Sequence, residues 1–140
     1  MSSGEDWAVD TSVAVAALDA GHAAHRPCLD IVKQRRPALS GHAAFEVYSV
    51  LTRMPGSVSV DPADAATLID RVFPRTVWLP ESAGIDLRRR LPVAGITGGA
   101  VYDALVGQAA ATNGCRLLTR DLRARRTYDL LGVPYSLVGV

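Results

Sequence analysis

The sequence predicts an α/β domain with a mostly parallel central sheet of about five short strands and helices on both faces. Three observations carry this. Short apolar runs alternate with longer segments of helical character along the whole chain, the pattern of strand–helix units. Capping and turn residues separate the two kinds of segment. At 140 residues and 49% hydrophobic, with 21% charged, the chain suits one domain around one sheet, and 1–140 is read as that domain.

The elements follow in order. Trp7-Ala8-Val9 is a strand that ends at Asp10-Thr11-Ser12, with Asp10 or Ser12 capping a helix from Val13 to Leu18. A second helix runs from about His22 to Arg36 and closes at Pro37. Ala38-Leu39-Ser40 is a strand turned by Gly41. The third helix spans His42 to Met54 and stops at Pro55-Gly56. Asp61-Pro62 is a cap followed by proline at the first helical position, starting a helix to about Phe73. Thr76 to Leu79 reads as strand and Glu81 to Leu91 as helix. Gly98-Gly99 opens a helix from Ala100 to Thr112, stopped by Asn113-Gly114. Arg116 to Thr119 is a strand, Leu122 to Leu131 a helix ended by Gly132, and Pro134 to Leu137 the last strand. No repeat, linker or low-complexity tract divides the chain.

Composition excludes several classes. Acids interrupt the apolar runs too early for a membrane span, and Met1 to Asp6 lack the basic start and apolar core of a signal peptide. Cys28 and Cys115 have no metal-ligand spacing, and a reduced cytoplasm is the simplest location. Net charge is +1, too weak to coat duplex DNA by charge alone. Lys33 is the only lysine among fifteen Lys and Arg residues, in keeping with a GC-rich genome.

In a parallel sheet every strand-to-helix turn lies at the carboxyl edge, where ligands of open α/β sheets bind. Asp10 follows the first strand, Asp121 follows the fourth, and Asp103 lies in the first turn of the helix after Gly98-Gly99. Each also has a plain structural use, because acids cap and stabilise helix starts. Glu46 is placed inside the third helix, beyond capping range, and forms a polar stripe with Ser49 and Arg53 at i, i+3 and i+7; a solvated helix face is the other reading. Asp103 has only small or apolar helical neighbours, Ala100, Val106, Gly107 and Ala110. Carboxylates that converge without a partner repel. A hard divalent cation relieves this, and oxygen ligands select Mg²⁺ or Mn²⁺ over zinc.

These residues carry a family resemblance. Val9-Asp10-Thr11-Ser12 resembles the opening motif of PIN-domain nucleases. Phe45-Glu46-Val47-Tyr48-Ser49-Val50-Leu51-Thr52-Arg53 is similar to their second acidic motif. Tyr102-Asp103-Ala104-Leu105-Val106 with Ala109-Ala110-Ala111 resembles the third, although Ala104-Leu105-Val106 replaces a more polar or isoleucine-rich run. Leu117-Leu118-Thr119-Arg120-Asp121, followed by Tyr128 and Leu131-Gly132-Val133, resembles the closing motif. The match is ordered and runs from Val9 to about Tyr135.

The resemblance implies an Mg²⁺-dependent endoribonuclease, the toxin half of a VapBC-type toxin–antitoxin pair. Carried over, Asp10, Glu46, Asp103 and Asp121 are its catalytic, metal-ligating acids, holding one or two ions that activate water for in-line attack on RNA. Thr119 is a hydroxyl helper at the substrate. Arg120 and Arg123, which flank Asp121, are read as phosphate contacts. Arg88-Arg89-Arg90 reads equally as phosphate contact or solvated face. A small antitoxin and a homodimer are the implied partners, with surplus apolar residues on Val13–Leu18 and Ala43–Met54 as candidate interfaces; burial of both helices inside the domain is the other reading. Receiver-like domains need a late lysine, and dinucleotide folds need GxGxxG after the first strand. Neither is present. Haloacid-dehalogenase-like phosphatases need a second Asp where Ser12 stands. The alternative within the same fold is a catalytically silent RNA- or protein-binding module.

Overall fold

The computed structural model describes residues 6–55 and 60–140. The chain order is β1 (Asp6–Val9), α1 (Thr11–Leu18), α2 (His25–Arg35), β2 (Ala38–Ser40), α3 (Ala43–Arg53), α4 (Pro62–Val72), β3 (Thr76–Val77), α5 (Glu81–Ala94), α6 (Ala100–Thr112), β4 (Cys115–Thr119), α7 (Arg125–Leu130) and β5 (Tyr135–Leu137). The strands form one all-parallel sheet in the order β3-β2-β1-β4-β5. Val9 is in register with Leu39 on one side and Leu118 on the other. The strand order therefore reverses beside β1, and the ends of β1 and β4 flank that switch point, the usual ligand crevice of such sheets.

Side chains alternate across the strands, so each face has its own core. Val9, Leu39 and Leu118 pack with Val13, Val47 and Phe73 beneath α1 to α4. Ala8 and Leu117 pack with Ala104, Val106 and Tyr128 on the opposite face, which α5, α6 and α7 cover. The alanine-rich α1 is enclosed, with Val13, Ala14, Ala16 and Ala17 buried against α2 and α3. Its apolar surplus is absorbed inside the domain.

Several element limits differ from expectation. The second helix begins at His25, because residues before it are occupied by turns in which His22 Nδ1 accepts from the Ala24 N–H (3.0 Å). The helix from Glu81 passes through Pro92 to Ala94 and ends where Gly95, at φ 71°, returns its N–H to the Leu91 and Pro92 carbonyls. A proline in a last turn loses one bond only, whereas the left-handed glycine stops the helix. Leu122 to Ala124 form turns ahead of α7, because Asp121 caps the turn rather than the helix. The third strand is two residues long. Gly56, half of the expected helix stop, lies outside the described residues, as do Met1 to Glu5.

The turn after β2 sets the spacing of two helices. Ser40 Oγ donates to the Val106 carbonyl of α6 (2.6 Å). Gly41 adopts φ +50°, and a Cβ there would stand 2.9 Å from Ala109 Cβ. Only glycine accommodates both the left-handed backbone and this close approach. At the opposite, amino edge, exposed Lys33 lies in the last turn of α2, beside a cleft of about 570 Å³ that it shares with Arg36, Arg71 and Arg75. Gly41→Ala is expected to destabilise the protein by about 1–3 kcal/mol in urea unfolding. An unchanged midpoint would show that α6 yields freely.

Candidate active site

Asp10 lies directly after β1 and is 4% exposed. Its backbone N–H extends the ladder to the Leu118 carbonyl (3.2 Å). Burying a carboxylate is expensive unless donors replace its water, and four do. Oδ1 accepts from Ser12 Oγ (2.5 Å) and the Val13 N–H (3.3 Å). Oδ2 accepts from Thr119 Oγ1 and from the Tyr128 hydroxyl (3.1 Å). Burial pushes the Asp10 pKa up, against the pull of these hydrogen bonds. The Val13 bond is the N-cap of α1, so Asp10 does cap its helix, with one of two oxygens.

The other acids come from three further elements. Glu46 is in the first turn of α3, nearer the helix start than expected, and accepts from Thr11 Oγ1 (3.0 Å). The rest of its stripe is separate: Arg53 donates to Ser49 Oγ (3.4 Å) on the exposed surface. Asp121 accepts from the Arg123 N–H (2.9 Å) and more weakly from Ala124 (3.4 Å). Its own N–H donates to Thr119 Oγ1 (3.1 Å). Asp103, in the first turn of α6, is half-buried; its pKa is pushed up to about 6, first by desolvation, then by the charges of Asp121, Asp10 and Glu46. Asp103 therefore lies within electrostatic reach of the other three acids. Arg123 is the cation that offsets their charge.

A profile of the PIN domain matches residues 8–130. The chain is a PIN-domain protein of the VapC type. It is 47% identical over 126 residues to a protein named ribonuclease VapC27 of Mycobacterium tuberculosis, covering 90% of this chain and 92% of the relative. It is 42% identical over 132 residues to ribonuclease VapC40 of the same species, covering 94% and 98%.

Within this PIN domain the two arginines beside Asp121 diverge. The Arg120 backbone N–H donates to Ser12 Oγ (2.9 Å), and its guanidinium turns to the Gly139 carbonyl (3.4 Å) beside Cys28. Its Nε is buried without a partner. Arg123 is exposed, and its charge acts on Asp103. Thr119, expected near substrate, is fully buried and places its hydroxyl between Asp10 and Asp121. Arg88, Arg89 and Arg90 are exposed on α5. Two contributors went unread in the sequence. Tyr128 was visible only as a member of the closing motif, and Thr11 only as a member of the opening motif beside a cap, neither with a role of its own.

The donor set of the PIN-domain site is carboxylate oxygen, which suits a hard divalent cation. Among the described residues, no three His, Cys, Asp or Glu side chains form a ready-made cage for one ion. A hard ion that keeps several waters needs only one or two carboxylates. In chelator-treated protein, the raised Asp103 pKa favours the protonated folded state. That stabilisation is complete below about 3.8, the ordinary value, and is lost as pH rises through about 6. Asp103→Asn stays neutral throughout, so it should melt above the parent at pH 7 and level with it near pH 4. Equal melting temperatures at pH 7 would show that neither desolvation nor repulsion disfavours the charged Asp103.

Proposed function

We propose that this protein is an endoribonuclease that hydrolyses RNA phosphodiester bonds with Mg²⁺ or Mn²⁺ and serves as the toxin of a type II toxin–antitoxin pair. The reading is carried by the links between the acids: Thr11, next to Asp10, holds Glu46, and Thr119 joins Asp10 to the Asp121 N–H, while desolvation and then the charges of these three acids raise Asp103. The ribonuclease names of the VapC relatives support RNA as the substrate.

Asp10, Glu46, Asp103 and Asp121 would hold the cation. A bound divalent ion supplies an activated water and positive charge for the leaving oxygen. The chain's own contribution is preorganisation. Ser12, Val13, Thr119 and Tyr128 hold Asp10 in one orientation, Thr11 holds Glu46, and the turn before α7 holds Asp121. Exposed Arg123 stands where it can meet a phosphate on its way to the acids.

Purified protein should cut single-stranded or loop RNA with Mg²⁺ or Mn²⁺ and stop on chelation. Asp10→Asn or Asp103→Asn should slow cleavage about 100-fold or more, the scale of losing one electrostatic contributor, without unfolding the chain. Cleavage that persists in both variants with chelator present overturns the reading. A folded protein that binds RNA and never cuts it is the silent binding module instead.

The same reading includes a small antitoxin that occludes the acids, a cytoplasmic location with the RNA, and a homodimer. Among the described residues no helix is long and apolar enough to cross a membrane. For the homodimer the structure offers an aromatic patch beside Glu46. Phe45 and Trp78 are 62% and 52% exposed, with ring centroids 5.8 Å apart, and border a cleft of about 330 Å³ with Tyr48. A contiguous exposed aromatic patch marks an interface. Light scattering should give twice the chain mass for the parent and one chain mass for Phe45→Glu. A monomeric parent removes the homodimer from the reading.

A further inference from the structure

We propose that Tyr128 is a positioning residue of the acidic site, fixing Asp10 relative to Asp103 and Asp121 and thereby setting the site's affinity for its divalent cation. The inference rests on the metal-dependent reading above and concerns a residue outside the four acids. Tyr128 is 1% exposed and donates its hydroxyl to Asp10 Oδ2 (3.1 Å), across 118 positions of sequence.

The ring has no freedom to place that hydroxyl elsewhere. It lies against Gly107, where a Cβ would stand 2.9 Å from Tyr128 Cδ1 and 3.0 Å from Val133 Cγ2. Tyr135 packs on it with centroids 5.7 Å apart. Gly107 is one turn beyond Asp103 on the same face of α6, so the phenol spans from the helix of one acid to the carboxylate of another. Its own backbone N–H reaches the Ala124 carbonyl (3.1 Å), and the Ala124 N–H is bonded to Asp121 (3.4 Å). Ring, hydroxyl and backbone of one residue thus link the surroundings of three of the four acids.

The hydrogen-bond inventory makes the link consequential. A carboxylate offers about four lone-pair sites, and Asp10 already receives four donors. Direct ligation of a cation by Asp10 requires one donor to yield while the others keep the carboxylate in place. Residues that orient a metal-ligating side chain in this way typically change metal affinity by about 10–100-fold when removed.

The test is calorimetric titration of chelator-treated protein with Mn²⁺ alone, together with its metal-free melting temperature. Tyr128→Phe keeps the ring and removes the hydroxyl. It should weaken Mn²⁺ binding about 10-fold or more at a nearly unchanged melting temperature, and raise the Mn²⁺ needed for half-maximal cleavage more than it lowers kcat. Gly107→Ala, which displaces the ring, should weaken binding in the same direction and serves if the first variant fails to fold. A parent that binds Mn²⁺ and a folded Tyr128→Phe that binds it equally or more tightly overturn this inference alone. A parent that binds no Mn²⁺ overturns the metal-dependent reading and this inference with it.

Discussion

The carboxyl edge of this domain depends on one constraint: a carboxylate is buried at the switch point between β1 and β4. Asp10 can remain there only because its two oxygens are met from three directions, its own helix start, the end of β4 and the buried phenol of α7. Each donor is at once a structural bond and a positional restraint. The hydroxyl of Thr119 also receives the Asp121 N–H, so satisfying Asp10 places a second acid. Ser12 works similarly, donating to Asp10 and accepting the backbone N–H of Arg120. Helix capping and site building are here the same set of hydrogen bonds.

The remaining two acids are placed by packing. Glu46 and Asp103 ride on helices from opposite faces of the sheet, α3 and α6. The β2–α3 turn brings these together, through the Ser40 bond to Val106 and the contact of Gly41 with Ala109. Asp103, the one of the four acids with no hydrogen bond from the described residues, then feels desolvation first and the charges of Asp121, Asp10 and Glu46 after it. A half-buried carboxylate under such charges costs stability, the kind of cost that clusters at functional sites.

Much of this was legible in the sequence. Strand ends followed by Asp10 and Asp121, and a glycine pair ahead of Asp103, marked three acids for one edge, because a parallel sheet leaves its turns no other place. The fold class followed from the same alternation. The departures have physical reasons. Glu46 read as beyond capping range because the helix was expected to start at His42, one residue before its observed start at Ala43, which brings Glu46 into the first turn. The helix expected to end at Leu91 continues through Pro92, because its stop is the left-handed Gly95. Arg120 and Arg123 were indistinguishable by spacing. Only the path of the C-terminal segment past Cys28 draws one guanidinium away. Tyr128 was legible as a member of the closing motif but its bond to Asp10 was not, since that partner lies in the first strand turn and no local periodicity encodes so distant a bond.

The solitary lysine has a practical meaning of its own. Lys33 carries the only ε-amine in the sequence, and the end of α2 presents it to solvent on the edge of the sheet opposite the acids. Amine-reactive dyes, crosslinkers or biosensor surfaces acting through a lysine side chain would therefore all couple at one known point. A molecule immobilised there would turn its carboxyl edge outward, with its acids unobstructed and every copy facing the same way.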